Sequence, residues 1–481
     1  MTKIERTLVL LGICSFALIA QFSSPPSREL DLRKNDPARR QTKHKEIKPY
    51  QQSDIERTVP LLLHGSHPRL LIFDGESFNV FNIDHASTTY SEDTTFGRGL
   101  VTVSLMVRAL YQQFPDRFKE GQPVFQMLFL DSDAPSSLCV DSKQGCDTTS
   151  NFAPIPIFGS ALKKSDLPLK VFPNWFYIQC LFDYKVKNIK TCRWQETDEI
   201  RQTLPYEELV PQVVWRGSDF PFLPQNDQFR NLHAPRITSE ETSDSAMTQI
   251  MLQWNELTPR WRAVALCAQA RLQKMETSEP HWIHAKFSGH GIGGIHKNLE
   301  DLGVTVTAED RMSPEDMARY KYQLALGGGG GTSWRGTLTK LGMPGLLFQQ
   351  ESPTIDWLYE EMKPFKHYIP IDWSLNKLRR RYEWAERNPG KAQKIASEAS
   401  KLHDYLMSAE YMEKLYQELF VNYLGRVVQN YEVSTDSWRD VKAQYKEHGF
   451  TLQKVSVCSD VHCRTRDSTG VWNQEQAFFN M

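Results

Sequence analysis

Two carboxylates follow a short apolar run in the first third of the chain. Asp131 and Asp133 come directly after residues 124–130, a run with the length of a buried strand. In α/β folds, functional side chains commonly lie at the carboxyl ends of strands. An Asp-x-Asp pair there could hold a divalent metal that carries a nucleotide-sugar diphosphate, or one Asp could act as a general base. An ordinary strand-to-turn junction has the same composition, so the residue types leave all three interpretations open.

A second set of polar residues follows another strand-like run. Arg216 and Ser218 belong to the sequence Trp-Arg-Gly-Ser, directly after Val213 and Val214. A guanidinium at a strand end beside a glycine can bind a phosphate through two parallel hydrogen bonds. The same four residues also suit a surface turn, so this motif predicts phosphate binding only together with others.

Five consecutive glycines, residues 327–331, separate an apolar run from Thr-Ser-Trp-Arg at residues 332–335. Glycine lets backbone N–H groups approach an anion closely, and an arginine in the first turn of a following helix could pair with phosphates. The alternative is a flexible linker. The run is not a P-loop, because no Gly-Lys-Ser/Thr follows. Residues 289–294 match Gly-x-Gly-x-x-Gly, but no apolar helix follows them, and we predict a loop there.

Composition limits the class of protein that could position these residues. The chain has 481 residues, and 57 Lys and Arg against 58 Asp and Glu give a formal net charge of −1. The balanced charge argues against a dedicated nucleic-acid-binding protein. A mean hydropathy of −0.50 excludes a protein with many membrane spans. Hydrophobic residues make up 40% of the chain, which is ample for packed cores.

The hydrophobic pattern predicts two blocks in which strands and helices alternate. The first block has strands near residues 70–73, 78–83 and 124–130 and a helix over 100–114; the second has strands near 210–215, 282–287, 318–326 and 345–348 and a helix over 246–275. Alternation of this kind favours parallel sheets, and two blocks indicate two α/β lobes that face a cleft. Residues 379–431 are almost entirely helical in pattern and restart at Asn388-Pro389.

The N-terminus resembles a targeting segment for the secretory pathway. Lys3 and Arg6 precede an apolar run over residues 8–20, which suits a signal peptide or a short signal anchor. We expect an uncleaved anchor over residues 1–22 that leaves the rest of the chain in the lumen, with the Golgi membrane as its location. The endoplasmic reticulum lumen and secretion are the alternatives.

Cysteine spacing is consistent with an oxidising compartment. Three pairs are close enough in sequence to form short-loop disulfides, and one further cysteine in a helical pattern is predicted to be a buried thiol. The pairs are Cys139/Cys146, Cys180/Cys192 and Cys458/Cys463, the predicted buried thiol is Cys267, and the eighth cysteine, Cys14, lies in the apolar N-terminal run. No spacing matches a zinc site.

Taken in order, the motifs resemble glycosyltransferase family 90, the lipopolysaccharide-modifying and capsule-associated group that includes the protein O-glucosyltransferases. The resemblance spans about residues 124–431. It rests on the segments at residues 173–177, 213–218, 284–288, 319–322, 332–335, 367–370 and 384–388, together with Trp357. It implies a GT-B architecture, with two Rossmann-like lobes and the UDP-sugar donor held mostly by the C-terminal lobe.

The resemblance also implies a role for each motif. Asp133 matches the catalytic base of an inverting, metal-independent transfer, with Asp131 as support. The UDP-sugar would be bound by Arg216, Ser218, Gly330, Gly331, Thr332, Ser333, Trp334 and Arg335. Trp175 and Tyr177 would line the sugar and acceptor side. No metal or cofactor is implied, because the UDP-sugar is a co-substrate.

These inferences give a division of the chain and an expected reaction. The division is an anchor over 1–22, a flexible stem over 23–59, an N-terminal lobe over 60–205, a donor-binding lobe over 206–385, a closing helical segment over 386–434 and a tail over 435–481. The expected reaction moves a sugar, glucose or xylose, to a hydroxyl of a protein or glycan. A metal-dependent transferase using Asp131 and Asp133, and an inactive lumenal carbohydrate-binding protein, are the alternatives. The acceptor itself is not specified by the sequence.

Overall fold

The computed structural model of the chain describes the part of the protein that carries its core. All described residues belong to one compact unit, residues 47–481. They are 49–55, 68–85, 96–130, 157–159, 161–163, 170–190, 198–224, 226, 228–237, 242–276, 281–288, 302–306, 311–333, 335–447, 449–455, 462–466 and 472–476.

Strands and helices alternate along most of the described chain, as predicted. Strands β1 to β15 cover, in order, Pro68–Phe73, Phe78–His85, Phe125–Leu130, Ile157–Gly159, Leu162–Lys163, Lys170–Val171, Val210–Gly217, Ile283–Phe287, Tyr320–Ala325, Leu346–Gln350, Thr354–Ile355, Ile369–Ile371, Phe450–Val455, His462–Arg466 and Trp472–Gln476. Helices α1 to α13 cover Phe96–Gln113, Trp175–Val186, Asp198–Thr203, Ser243–Leu252, Pro259–Glu276, Pro314–Ala318, Arg335–Leu341, Leu358–Glu361, Leu378–Arg387, Pro389–Leu406, Ala409–Tyr416, Leu424–Gln429 and Trp438–Glu447. A π-helix over Gln417–Tyr423 joins α11 to α12.

The first large sheet has the strand order β13-β2-β1-β3-β4-β6 and is mixed. Its β3, β4 and β6 run parallel, but β1 pairs antiparallel with both β2 and β3. The turn between β1 and β2 is only four residues long, too short for a parallel crossover. The Asp74 carboxylate fixes this turn by accepting the backbone N–H groups of Glu76 and Ser77. The expectation of a parallel first sheet is therefore wrong for its β1–β2 half.

The second large sheet has the order β12-β10-β9-β7-β8, and all its neighbouring strands are parallel. The chain enters the sheet at β7, adds β8 as the edge strand on one side, and then continues on the other side of β7 through β9 and β10 to β12. Its strands are buried on both faces, and β9 reads as buried from Tyr322 to its end. This sheet confirms the predicted α/β class for the second block.

The helices follow the predicted pattern with two differences. The helix expected over residues 246–275 is two helices, α4 and α5, because Pro259 has no N–H group and starts α5. Pro389 occupies the first turn of α10 as predicted. Asn388 does not cap that helix with its side chain, because its Nδ2 donates to the Trp384 carbonyl instead.

Residues in the predicted stem and in the predicted tail pack against the folded unit. Tyr50 is only 1% exposed, and its backbone pairs with that of residues 430–432. The flexible stem predicted over residues 23–59 therefore does not extend through residues 49–55. In the predicted tail, Tyr445 of α13 is buried and donates to Gln126 Oε1, and β13 adds an edge strand to the mixed sheet.

The predicted anchor over residues 1–22 lies outside the described residues. Among the helices that the structure describes, none combines the length and apolar character that crossing a bilayer requires. Cys180 is disulfide-bonded, while its predicted partner Cys192 lies outside the described residues. Cys267 is a buried free thiol, as predicted.

Candidate functional site

Polar groups of three loops meet at the carboxyl edge of the parallel sheet, where β7, β9 and β10 end. The backbone N–H of Gly327, just after β9, donates to Gln350 Oε1 at the end of β10 over 2.8 Å. The Arg260 side chain of helix α5 links Ser218, just after β7, to the same region. Because ligands of parallel α/β sheets bind at this edge, it is the candidate site.

The run of five glycines is a folded loop, which we call the glycine loop (residues 327–333). Gly328 N donates to the Thr332 carbonyl over 3.2 Å, and Gly331 N donates to the Gly328 carbonyl over 2.9 Å. From outside the loop, the Thr354 hydroxyl donates to the Gly330 carbonyl over 2.9 Å. The linker interpretation therefore fails, because a linker would not be held by so many specific bonds.

Two glycines of the loop are required by its geometry. A β-carbon on Gly327 would lie 2.5 Å from the Gly331 carbonyl oxygen, which is too close for any side chain. Gly331 has a φ of +76°, and a β-carbon there would lie 2.3 Å from Thr354 Oγ1. A close approach and a positive φ are both conditions that glycine satisfies and other residues do not.

Several backbone N–H groups of the loop remain available. Gly329, Gly330, Thr332 and Ser333 donate their backbone N–H to no acceptor among the described residues. Gly331 is different, since its N–H is already used within the loop. A β-carbon on Gly329 would meet no atom within 4 Å, so the loop is open on that side. Neighbouring N–H groups without acceptors suit an oxyanion such as a phosphate.

Arg260, in the first turn of α5, fixes this loop to the segment after β7. Its Nη1 donates to the Ser218 carbonyl over 2.7 Å, and its Nε donates to the Gly327 carbonyl over 3.1 Å. Its guanidinium lies over the rings of Trp215 and Phe220. Burial lowers the pKa of Arg260 to about 10, an effect that the charge of Asp219 partly offsets.

The sequence analysis did not identify Arg260. One signal was present: a positive residue in the first turn of a helix is disfavoured by the helix dipole, so an arginine directly after Thr258-Pro259 invites a specific explanation. The structure supplies that explanation, because the guanidinium binds carbonyl groups of two neighbouring loops.

Arg216, the predicted phosphate ligand, is held within the sheet. Its Nη1 donates to the carbonyl groups of Trp215 and His284, each over 2.9 Å, and its Nη2 lies 3.2 Å from His284 Nε2. The other ring nitrogen of His284 lies 3.1 Å from the Tyr320 hydroxyl. These contacts of Arg216 are with β7 and β8. Binding of phosphate by Arg216 stays a prediction.

The predicted hydroxyl residues occupy positions consistent with the site. Ser218 is half-buried, and its carbonyl accepts from Arg260. The Ser333 hydroxyl hydrogen-bonds to the Thr337 hydroxyl, and Thr337 in turn donates to Gln349 Oε1 over 3.0 Å. Thr332 is half-buried and lies in the glycine loop.

Several predicted site residues lie outside what the structure describes. Asp131, Asp133 and Trp334 are outside the described residues, as is the Gly-x-Gly-x-x-Gly segment at 289–294. Arg335 is the first residue of α7, directly after the glycine loop, and Trp175 is the first residue of α2.

Tyr177 is a core residue. Its side chain is 0% exposed, its ring centroid lies 4.3 Å from that of Trp357, and its hydroxyl donates to the Leu406 carbonyl. Asn174 caps the start of helix α2, where its side chain accepts the Tyr177 N–H. The described side chain has no surface with which to contact a sugar, so we do not include it in the proposed site.

Comparison with known proteins finds a family whose model matches most of the chain. The model of the family described as Glycosyl transferase family 90 matches residues 102–456, which include all the loops described above. Protein O-glucosyltransferase 3 of Homo sapiens is 30% identical over 160 residues, 33% of this chain and 30% of that protein. The Rattus norvegicus protein of the same name is 32% identical over 113 residues, 24% of this chain and 22% of that protein.

A longer match has lower identity. Uncharacterized protein 179R of Invertebrate iridescent virus 6 is 26% identical over 264 residues, 54% of this chain and 19% of that protein. The chain thus matches less than a third of the length of each of these curated relatives. The family match covers well over half of the chain, from within helix α1 to the residue after strand β13. This chain therefore belongs to glycosyl transferase family 90 and is a glycosyltransferase.

Proposed function

We propose that this glycosyltransferase transfers a sugar from a UDP-sugar to a hydroxyl group with inversion and without a metal ion. The two large sheets would form the two lobes of a GT-B enzyme, with the donor on the lobe of the parallel sheet. The name of the two mammalian relatives, protein O-glucosyltransferase 3, favours glucose over xylose as the sugar and a protein over a glycan as the acceptor.

One observation carries this proposal: the glycine loop, at the carboxyl edge of a parallel sheet, offers backbone N–H groups that have no acceptor among the residues that the structure describes. As the bond between sugar and diphosphate breaks, negative charge develops on the leaving UDP. Fixed N–H groups that point to that charge stabilise the transition state without reorganising. Arg335, directly after the loop, would add a positive charge on the same side.

The acceptor requires a base, for which Asp133 is our candidate. An acceptor hydroxyl is a poor nucleophile near neutral pH, and a positioned carboxylate that takes its proton contributes roughly 10²–10⁴-fold to the rate. Inversion requires that the base and the leaving diphosphate lie on opposite faces of the sugar. Asp131 would support Asp133, and Trp175 would line the acceptor side.

The proposed compartment is the Golgi lumen, with an N-terminal anchor over residues 1–22. The disulfide at Cys180 supports an oxidising compartment, since such bonds are rare in the cytosol. No nucleic acid and no cofactor take part in the proposed reaction.

A donor screen on the full chain tests the proposal. UDP-glucose, UDP-xylose and other UDP-sugars are supplied with and without EDTA, and free UDP is measured. We expect release of UDP that survives EDTA, and Asp133→Asn should abolish transfer while UDP binding is retained. Activity that is lost on chelation and restored by Mn²⁺ would favour the Asp131/Asp133 metal site. A folded protein that shows no thermal stabilisation by millimolar UDP would indicate an inactive binding protein.

A further inference from the structure

Lys340, in the last turn of α7, is a buried lysine whose amine has no partner among the described residues. The residue is only 8% exposed, and its Nζ makes no hydrogen bond or ion pair within the described structure. Burying a charged group without a partner is costly, so proteins normally pair such groups with an opposite charge. Lys321 on β9 shows the usual arrangement, with its amine 3.3 Å from Glu386 Oε1.

The amine lies next to the glycine loop. A β-carbon on Gly336 would be 3.5 Å from Lys340 Nζ and 3.8 Å from Ser333 Oγ, so the amine and this serine flank the same point of the backbone. Ser333 is also one of the residues whose backbone N–H has no acceptor in the described structure. The Lys340 amine thus lies close to a loop residue whose N–H has no acceptor among the described residues.

A second positive charge acts on the same place. The guanidinium of Arg260 packs under the loop, with Nη2 3.0 Å from the position of a β-carbon on Gly328. Burial, followed by the positive charge of Arg260, lowers the pKa of Lys340 to about 8. A nearby positive charge disfavours the charged form of a lysine, and an anion bound beside the amine relieves that repulsion. A phosphate fits this requirement, since it offers several acceptor oxygens and a negative charge.

We propose that Lys340 Nζ binds the diphosphate of the donor nucleotide directly, together with the N–H groups of the glycine loop. This inference rests on the proposed function, because it names a further ligand in the same donor site. The amine donates to phosphate oxygens both before transfer and while negative charge builds up on the leaving group. When no donor is bound, it is a buried charge that destabilises the protein.

Loss of the charge should affect the donor-bound and the donor-free protein differently. This difference distinguishes ligand binding from a structural role. In full-length protein, Lys340→Met removes the charge and keeps an unbranched side chain. We expect UDP and inorganic pyrophosphate to bind about 10- to 100-fold more weakly, since a hydrogen bond to a charged group is lost. Uridine, which has no phosphate, should bind as in the wild type. The unliganded variant should melt at the same temperature or higher.

The matched control is Lys321→Met, which removes a half-buried lysine that is already paired with Glu386. It should lower the melting temperature and leave the dissociation constant for UDP unchanged. Lys340→Gln provides a second neutral variant in case the methionine is not accommodated. Calorimetry gives the dissociation constants, and thermal unfolding gives the stability.

Three outcomes would count against the inference. If a Lys340 variant binds UDP like the wild type, the amine is not a ligand. If the variant loses uridine and UDP equally, or melts at a lower temperature when unliganded, Lys340 is structural. If the wild type itself binds neither UDP nor pyrophosphate, the proposed function fails, which is distinct from the first two results.

Discussion

Arg260 illustrates at the scale of one residue how a buried guanidinium organises backbone. Its donors reach the carbonyl groups of Ser218 and Gly327, which belong to different loops, and the Ser218 carbonyl also accepts the Phe220 N–H. Arginine suits this task because its donors are held in one plane and its charge is spread over several atoms. Lysine at the same position would offer a single amine and could not satisfy both carbonyl groups with the same geometry.

Replacing this arginine should therefore weaken both stability and donor binding. Arg260→Met leaves the buried Gly327 carbonyl without a donor, which costs about 1–3 kcal/mol, while the half-buried Ser218 carbonyl keeps the Phe220 N–H. We expect the free energy of unfolding to fall by about 1–3 kcal/mol in urea titrations, and UDP binding to weaken because the glycine loop loses its support. Arg380→Met, on the exposed face of α9, is the control and should change neither quantity. Unchanged stability in Arg260→Met would contradict the bracing role.

A buried histidine makes stability depend on pH. Burial lowers the pKa of His367 to about 4, and its Nδ1 accepts the Lys363 N–H over 3.1 Å. The folded state keeps this ring neutral, whereas the unfolded chain takes up a proton near pH 6.5. Stability should thus be lost as the pH falls from about 6.5 towards 4, because the unfolded state binds the extra proton.

His367→Asn tests this dependence, since its Oδ1 can accept the same N–H group. Between pH 7 and pH 5 the wild type should lose about 2 kcal/mol more stability than the variant. Asp356, whose pKa burial raises to about 6, acts in the opposite direction but is common to both proteins. Chemical denaturation at several pH values measures the difference. Parallel curves for the two proteins would show that the ring titrates normally.

At the scale of elements, the glycine loop depends on its neighbours for its shape. Gln350 at the end of β10 and Thr354 of β11 each hold one backbone group of the loop. The loop can therefore keep several N–H groups in place without a ligand. Such a preformed arrangement avoids an ordering cost when an anion binds.

Substitutions within the loop should separate positions by backbone geometry. Gly331→Ala places a β-carbon at a φ of +76° and against Thr354 Oγ1, so we expect a loss of about 1–3 kcal/mol in stability and weaker UDP binding. Gly329→Ala adds a methyl group to open space, and its free energy of unfolding should change by less than about 0.5 kcal/mol. Equal destabilisation by the two variants, measured in urea, would show that the loop is not held in this conformation.

Local patterns predicted the elements but not the contacts between distant ones. The apolar runs at β1, β2, β3 and β7 were identified because buried strands have a clear composition. The antiparallel β1–β2 hairpin was missed because a short polar turn was not given enough weight. Trp and Tyr near residue 175 suggested a sugar-binding surface, yet Tyr177 is buried, since aromatic side chains serve cores as readily as binding sites. Arg260 and Lys340 depend on tertiary packing, which no spacing rule shows.

At the scale of the whole molecule, the two ends of the described unit close the mixed sheet and its helices. Tyr50 packs edge-on against Tyr431, and β13 pairs with β2 along its length. Helix α13 connects the two features through the bond of Tyr445 to Gln126 on β3. The chain after residue 434 is therefore part of the folded body, at least as far as Val455.

Truncation at two points tests this conclusion. A chain that ends at residue 434 loses α13 and β13, exposes the edge of β2 and leaves the buried Gln126 side chain without its partner. We expect it to melt at a markedly lower temperature or to aggregate. A chain that ends at residue 456, where the family match also ends, keeps both elements and should melt close to the full-length protein. Equal thermal stability of the two shortened chains would contradict a structural role for β13.

The bracing by Arg260 also bears on how the nucleotide product of the proposed reaction would leave. The segment after β7 and the glycine loop share one guanidinium, so pulling them apart would leave the buried Gly327 carbonyl without this donor. A flap-like opening of the glycine loop alone is thus disfavoured. The nucleotide product would then leave through motion of other parts of the protein. When the chemical step is fast, the rate of that motion would limit turnover.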